Sequence, residues 1–99
     1  MAGCSIETVA PGRLAVRGVL DFDSAPAALA RGLALLGSGQ DCEIDLSGVS
    51  SGDSAGLAVL IEWLASARRR GAKLRYTGVP TQMRAIARMS ALEDLLNPG

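Results

Sequence analysis

The chain has 99 residues with ten basic and ten acidic side chains and no histidine, so its formal net charge at pH 7 is zero. A chain of this length can bury one hydrophobic core without metals or disulfides, and we expect a single domain over residues 1–99. Zero net charge excludes the long-range attraction to nucleic acid or anionic lipid that a strongly basic domain has. A protein is therefore the expected partner.

The two cysteines, Cys4 and Cys42, lie far apart in sequence and form no C-x-x-C pair. Without histidine they indicate neither a metal site nor a disulfide framework, and no cofactor is expected. No stretch reaches the roughly 20 apolar residues that cross a bilayer, and the amino terminus lacks the pattern of a signal peptide. The sequence predicts a cytoplasmic protein that does not insert directly into a membrane.

Two short strands open the predicted fold, over residues 5–9 and 13–20. Pro11 and Gly12 separate them and suit a type II turn, so the two strands are expected to form a hairpin. Along the second strand, large apolar side chains alternate with Arg and Ala, which is typical of a sheet covered on one face only.

The middle of the chain is predicted to alternate between helix and strand. A helix begins at residue 24 or 25, with Pro26 in its first turn, and ends at Leu36 before a glycine. A strand over residues 42–46 follows, and a Ser- and Gly-rich loop at residues 47–52 leads into the next helix.

The strongest helical pattern runs from residue 53 to 70. Asp53 or Ser54 can cap its start, and the arginines that end it suit the helix dipole. The apolar spacing predicts a stripe buried against the sheet, formed by Leu57, Leu60, Ile61 and Leu64.

A strand at residues 73–77 and a last helix opened by Pro80 complete the predicted order β-β-α-β-α-β-α. Strands that are separated by helices favour parallel pairing, and the opening hairpin adds an antiparallel pair. We therefore expect an α/β fold with a mixed four-stranded sheet and about three helices.

Residues 52–56 match G-x-S-x-G, the pattern of a serine-hydrolase nucleophile elbow centred on Ser54. A serine nucleophile needs a general base, and the chain has no histidine to supply one. Lys73 is the only lysine, and no S-x-x-K pattern is present. The motif therefore does not indicate catalysis, and we expect no enzymatic activity.

Two interpretations of the motif remain. Asp53 and Ser54 can simply cap the helix, which satisfies backbone N–H groups in its first turn. Gly56, however, costs up to about 1 kcal/mol of helix propensity relative to alanine. A glycine that weakens the helix indicates another role, and we interpret it as leaving a bare surface that a partner approaches closely. The positive end of the helix dipole would also suit a phosphate on Ser54, so the hydroxyl is a candidate docking or phosphorylation point.

Residues 44–49 followed by Asp53-Ser54-Ala55-Gly56-Leu57 resemble the STAS domain, the fold of bacterial anti-sigma factor antagonists. In that family D-[ST]-x-G-L carries the phosphorylatable Ser or Thr directly after the Asp, and Ser54 occupies this position. The resemblance extends from about residue 14 to residue 96. Ala55 is a mild departure, because antagonists often carry a second Ser or Thr there.

Within the family, residues 79–88 and 92–96 are similar to MlaB-like proteins, the small cytoplasmic STAS subunits of Mla phospholipid-transport ABC complexes. The resemblance implies a non-catalytic accessory subunit that docks through the D-[ST]-x-G-L loop and the second helix on an MlaF-like ATPase bound to a membrane permease. It also implies that the chain supports assembly and activity of that transporter, at the cytoplasmic side of the inner membrane. The alternative is an anti-sigma factor antagonist switched by an anti-sigma factor kinase that phosphorylates Ser54.

The second helix carries a further candidate contact. Val59 and Trp63 lie one turn apart beside the predicted buried stripe, and a partly exposed Trp63 would anchor a protein interface together with Asp53, Ser54 and Gly56. The alternative is that Trp63 packs onto the domain's own core. The three arginines at residues 68–70 are interpreted as a solvated helix end that matches the dipole.

Overall fold

The computed structural model describes residues 3–37 and 39–96. Four strands and four helices follow one another along the chain, and three of the helices are substantial. In chain order they are β1 Cys4–Ala10, β2 Arg13–Leu20, α1 Ala25–Leu35, β3 Cys42–Gly52, α2 Ser54–Arg69, β4 Leu74–Thr77, α3 Thr81–Met89 and α4 Glu93–Leu96.

The strands form one mixed sheet in the order β1-β2-β3-β4. β1 and β2 pair antiparallel across a turn in which Gly12 has φ +74°, the left-handed conformation that the predicted turn requires. β2 pairs with β3, and β3 with β4, in parallel. The predicted hairpin and the predicted parallel pairs are thus confirmed.

The sheet has one apolar and one polar face. Leu14 and Val16 of β2 are buried, whereas Arg13 and Arg17 of the same strand are exposed. On the polar face, Nε of Arg17 lies 3.9 Å from Oε1 of Glu7, in an ion pair across the β1–β2 ladder. The helices pack on the apolar face, as the alternation along β2 predicts.

β3 is longer than predicted, because the segment expected to be a loop at residues 47–52 continues the strand to Gly52. The β2–β3 ladder reaches the pair Leu20↔Gly52 by way of two register shifts. Val49 is buried in the core. Pairing with β2 and burial of Val49 outweigh the weak strand propensity of the surrounding Ser and Gly residues.

The chain ends in two helices instead of one. α3 stops at Met89, and Ala91 takes φ +58°, so the amide of Leu92 folds back and donates to the carbonyl of Ala87. α4 then brings Leu96 into the core, where it is 2% exposed. No helix in the described part of the chain has the length and apolar composition needed to span a bilayer.

Candidate functional site

The candidate site is the start of α2 together with the turn between β2 and α1. Ser54 is the first residue of α2 and is exposed, and Asp53 is its N-cap. The side chain of Asp53 accepts a hydrogen bond from the amide of Gly56 at 3.0 Å. Capping is therefore one role of this motif, as the sequence predicts.

Asp53 also holds the neighbouring turn. Its second carboxylate oxygen accepts from the amide of Phe22 at 3.3 Å. The backbone amide of Asp53 donates to the carbonyl of Leu20 at 3.3 Å. One acidic residue thus fixes the start of α2 relative to the end of β2 and the turn beyond it.

The turn is stiffened by its own polar side chains. One oxygen of Asp21 accepts from the amides of Asp23 and Ser24, at 3.0 and 3.1 Å. The hydroxyl of Ser24 donates to the carbonyl of Val19 at 2.7 Å. This arrangement leaves Phe22 directed outward and 77% exposed.

An apolar groove of about 450 Å³ lies beside Ser54, between α1 and α2. It is lined by Phe22, Ala25, Pro26, Leu29, Ala55, Ala58, Val59 and Glu62. An exposed aromatic ring next to an apolar groove is a feature common at protein interaction surfaces. We call this groove together with Asp53 and Ser54 the docking face.

The sequence reasoning missed Phe22 and the α1 side of the docking face. A signal was present, since Phe22 stands between two aspartates in a turn, where burial of its ring is least expected. Its position next to Ser54, however, depends on how the β2–α1 and β3–α2 connections meet at one end of the sheet. That meeting is a property of the three-dimensional fold.

Trp63 is not an exposed interface anchor, and this prediction is corrected. Its side chain is 0% exposed, its indole N–H donates to the carbonyl of Leu29 at 3.3 Å, and its ring lies against Gly32 of α1. Val59 is 4% exposed and reaches the surface only as part of the groove wall. The alternative, a tryptophan packed onto the domain's own core, is the correct one.

The two glycines of the motif are also placed differently from the bare surface that the sequence suggests. Both are buried. A Cβ on Gly56 would collide with the carbonyl oxygen of Leu20, and one on Gly52 would collide with the side chain of Met83. Gly56 permits α2 to pack closely against the end of β2, and Gly52 permits the end of β3 to pack against α3. Within the motif Ser54 is exposed, and Asp53 and Ala55 are partly buried on either side of it.

Ser54 offers a hydroxyl that can donate or accept a hydrogen bond, at the positive end of a 16-residue helix. The residues around it are acidic or apolar, and the sequence contains no histidine to act as a base. The same hydroxyl is sterically open to a kinase.

The family model described as "Mlab, STAS domain" matches residues 7–97. The chain belongs to the MlaB-type STAS domain family. The match includes the second half of β1, all later elements of the fold and the whole docking face, and it agrees with the resemblance carried by residues 44–57. No curated protein sequence matches the chain significantly.

Solved structures with low sequence identity share the STAS fold. The phosphorylated form of the Bacillus cell fate determinant SpoIIAA has a TM-score of 0.68 at 17% identity, over 90% of this chain and 84% of that one. Unphosphorylated SpoIIAA, an anti-sigma factor antagonist, has a TM-score of 0.66 at 15% identity, over 87% and 82%.

Transporter proteins contain the same fold. A sulfate transporter family protein from Wolinella succinogenes has a TM-score of 0.66 at 18% identity, over 93% of this chain and 77% of that one. The murine anion transporter Slc26a9 gives the same score and identity, over 90% of this chain, which spans 18% of Slc26a9. STAS domains thus occur both in regulators and in transporters.

Proposed function

We propose that this STAS domain is a non-catalytic accessory subunit that binds the ATPase subunit of an Mla-type phospholipid-transport ABC transporter. Binding would support assembly and activity of the transporter. The domain would then sit in the cytoplasm, at the inner membrane, through its contact with the ATPase and the permease. The family match over residues 7–97 supports the transporter class.

The observation that carries the proposal is the exposed Ser54 next to the apolar groove and the protruding Phe22. A stable interface needs a central aromatic or apolar anchor and a polar group that fixes its register. Phe22 and the groove supply the first, and the hydroxyl of Ser54 supplies the second. Asp53 holds both in place through its hydrogen bonds to Gly56 and Phe22.

The second candidate is an anti-sigma factor antagonist that a kinase switches by phosphorylating Ser54. The likeness to SpoIIAA in two phosphorylation states, with Ser54 exposed at the start of α2, favours it. A phosphate there would add charge beside Asp53 and would alter the docking face directly. The two candidates use the same surface for different partners.

Copurification of the tagged chain from its source organism, followed by mass spectrometry, separates the two candidates. The proposal predicts recovery of an ABC ATPase and its permease from the solubilised membrane fraction, with loss of both from a Ser54→Arg preparation. Recovery of a soluble serine kinase at the expense of the ATPase would support the antagonist. A matched assay for ester hydrolysis is expected to give the same turnover for wild type and Ser54→Ala, because the chain has no histidine to serve as the general base for a serine nucleophile.

A further inference from the structure

The zero net charge conceals a strong segregation of charge along the chain. Seven of the ten Lys and Arg residues lie between positions 68 and 88, and residues 63–92 contain no Asp or Glu. These cations lie at the end of α2, on β4 and on α3. Ser54 and Arg68 stand near opposite ends of α2, which is roughly 24 Å long at 1.5 Å per residue. The part of the basic region around Arg68 is therefore well separated from the docking face, whereas α3 begins close to Gly52.

A second groove, of about 430 Å³, lies within this basic region, between β4, the end of α2 and α4. It is lined by apolar side chains at its floor and cations at its rim, namely Leu64, Ala72, Leu74, Leu95, Arg68, Lys73, Arg75 and one acid, Asp94. Within residues 3–37 and 39–96, Arg68, Lys73 and Arg75 form no ion pair. Two acids lie close by, since Asp41 accepts from the amide of Lys73 at 2.8 Å and Glu43, the register partner of Arg75, lies 4.0 Å from Arg13. The cations at the rim still outnumber the one acid that lines the groove, so positive charge is available to a ligand there.

The groove adjoins the free side of β4, which is the last strand of the sheet. The amide of Cys42 in β3 donates to the carbonyl of Lys73 at 2.8 Å. Backbone groups alternate in direction along a strand, so those of Leu74 and Tyr76 point away from β3. They lie where an added strand would pair with β4.

We propose that the basic groove binds an extended, acidic segment of a partner protein, which adds to the sheet beside β4. Its carboxylates would meet Arg68, Lys73 and Arg75, and its alternate apolar side chains would enter the groove. The apolar floor is recessed, with Leu74 only 5% exposed, so it suits an inserted side chain better than a membrane surface. This site is independent of Ser54 and of the function proposed for the docking face.

A fluorescein-labelled peptide of alternating Asp and Val residues tests the proposal by fluorescence anisotropy. We expect saturable binding that salt weakens and that the double variant Lys73→Glu/Arg75→Glu weakens by about tenfold or more. Arg31→Glu, a single charge reversal of the same kind on the exposed surface of α1, should bind like wild type, and so should Ser54→Arg. Circular dichroism on the same preparations shows that each variant is folded.

Amide hydrogen exchange tests the binding mode. The bound peptide should slow exchange at Leu74 and Tyr76 and leave the start of α2 unchanged. Absence of binding, equal binding by the double variant, or protection confined to another strand would overturn the proposal. Vesicles of equal parts phosphatidylglycerol and phosphatidylcholine test the other ligand class. If they bind the wild type but not the double variant, and the peptide binds neither, the peptide proposal is overturned in favour of a membrane surface.

Discussion

Asp53 joins two parts of the docking face with one side chain. Its two oxygens accept from the amides of Gly56 in α2 and Phe22 in the preceding turn. The motif could be recognised from sequence because a cap is a local interaction, with donor and acceptor three residues apart. The contact with Phe22 spans 31 residues, and no local pattern encodes it.

Gly56 gives a residue-scale test of the corrected interpretation. We expect Gly56→Ala to destabilise the fold by about 1–3 kcal/mol, because the added methyl group collides with the Leu20 carbonyl. On an open surface the same substitution would stabilise the helix by up to about 1 kcal/mol. Urea denaturation measures the difference, with Gly3→Ala as control, since nothing lies near a Cβ at Gly3. A raised midpoint for Gly56→Ala would contradict the packing role.

Tyr76 gives a pH-dependent test at the same scale. Burial raises the pKa of its phenol well above the ordinary value, and its hydroxyl donates to the carbonyl of Leu60 at 2.6 Å. In the unfolded chain the phenol of Tyr76 ionises at about pH 10, whereas in the folded chain it stays neutral. The stability that the buried, neutral phenol contributes is therefore full below about pH 10 and is lost as the pH rises further.

Tyr76→Phe is expected to cost about 0.5–1.5 kcal/mol at neutral pH, because the hydrogen bond from the phenol to the Leu60 carbonyl is lost. The difference between wild type and variant should narrow as pH rises through about 10, because only the wild type loses stability by ionisation at this position. Urea midpoints at mildly and strongly alkaline pH measure this. A difference that stays constant across that range would show that the phenol is not held neutral.

Among the elements, α2 was predicted to within one residue at each end, but its buried side was predicted only in part. Its apolar spacing predicts four buried residues. Leu57 and Leu60 are buried, but Ile61 and Leu64 are only partly buried. The buried side is rotated towards Trp63, because α2 packs on α1 as well as on the sheet. Periodicity shows that a helix has an apolar side, but the packing of α1 is a tertiary property that it does not show.

In the remaining elements, too, local features were predictable from the sequence and long-range contacts were not. The hairpin, the order of strands and helices, and the parallel pairs were predictable from turn residues and hydrophobic periodicity. The extension of β3 to Gly52 was not, because Ser and Gly are weak strand formers and their pairing with β2 is a long-range interaction. The separation of α4 from α3 depends on a left-handed Ala91, which its sequence does not signal.

Leu60 tests the packing of α2 at the element scale. It is 0% exposed, and we expect Leu60→Ala to destabilise by about 2–5 kcal/mol through lost burial and a residual cavity. Ile61→Ala, at a partly buried neighbouring position, should cost clearly less. Denaturant midpoints of both variants check the order, and equal midpoints would contradict this orientation of α2.

At the scale of the whole molecule, two surfaces of different chemistry occupy opposite ends of α2. The docking face combines an exposed aromatic ring, an apolar groove and nearby carboxylates. The basic groove beside β4 combines a recessed apolar floor with the cations Arg68, Lys73 and Arg75. A domain with two such surfaces can hold one partner at each, which suits the accessory role proposed above.

Binding of the ATPase subunit to the docking face is the central claim, and one affinity measurement tests it most directly. Surface plasmon resonance would compare wild type, Ser54→Arg and the control Ser90→Arg, which places the same side chain at the exposed end of α3. We expect Ser54→Arg to weaken binding at least about a hundredfold, as a bulky charge at an interface centre does, and to keep the wild-type circular dichroism spectrum. Ser90→Arg should bind like wild type. Full binding by a correctly folded Ser54→Arg protein would contradict the account, because it would remove the docking face from the interface.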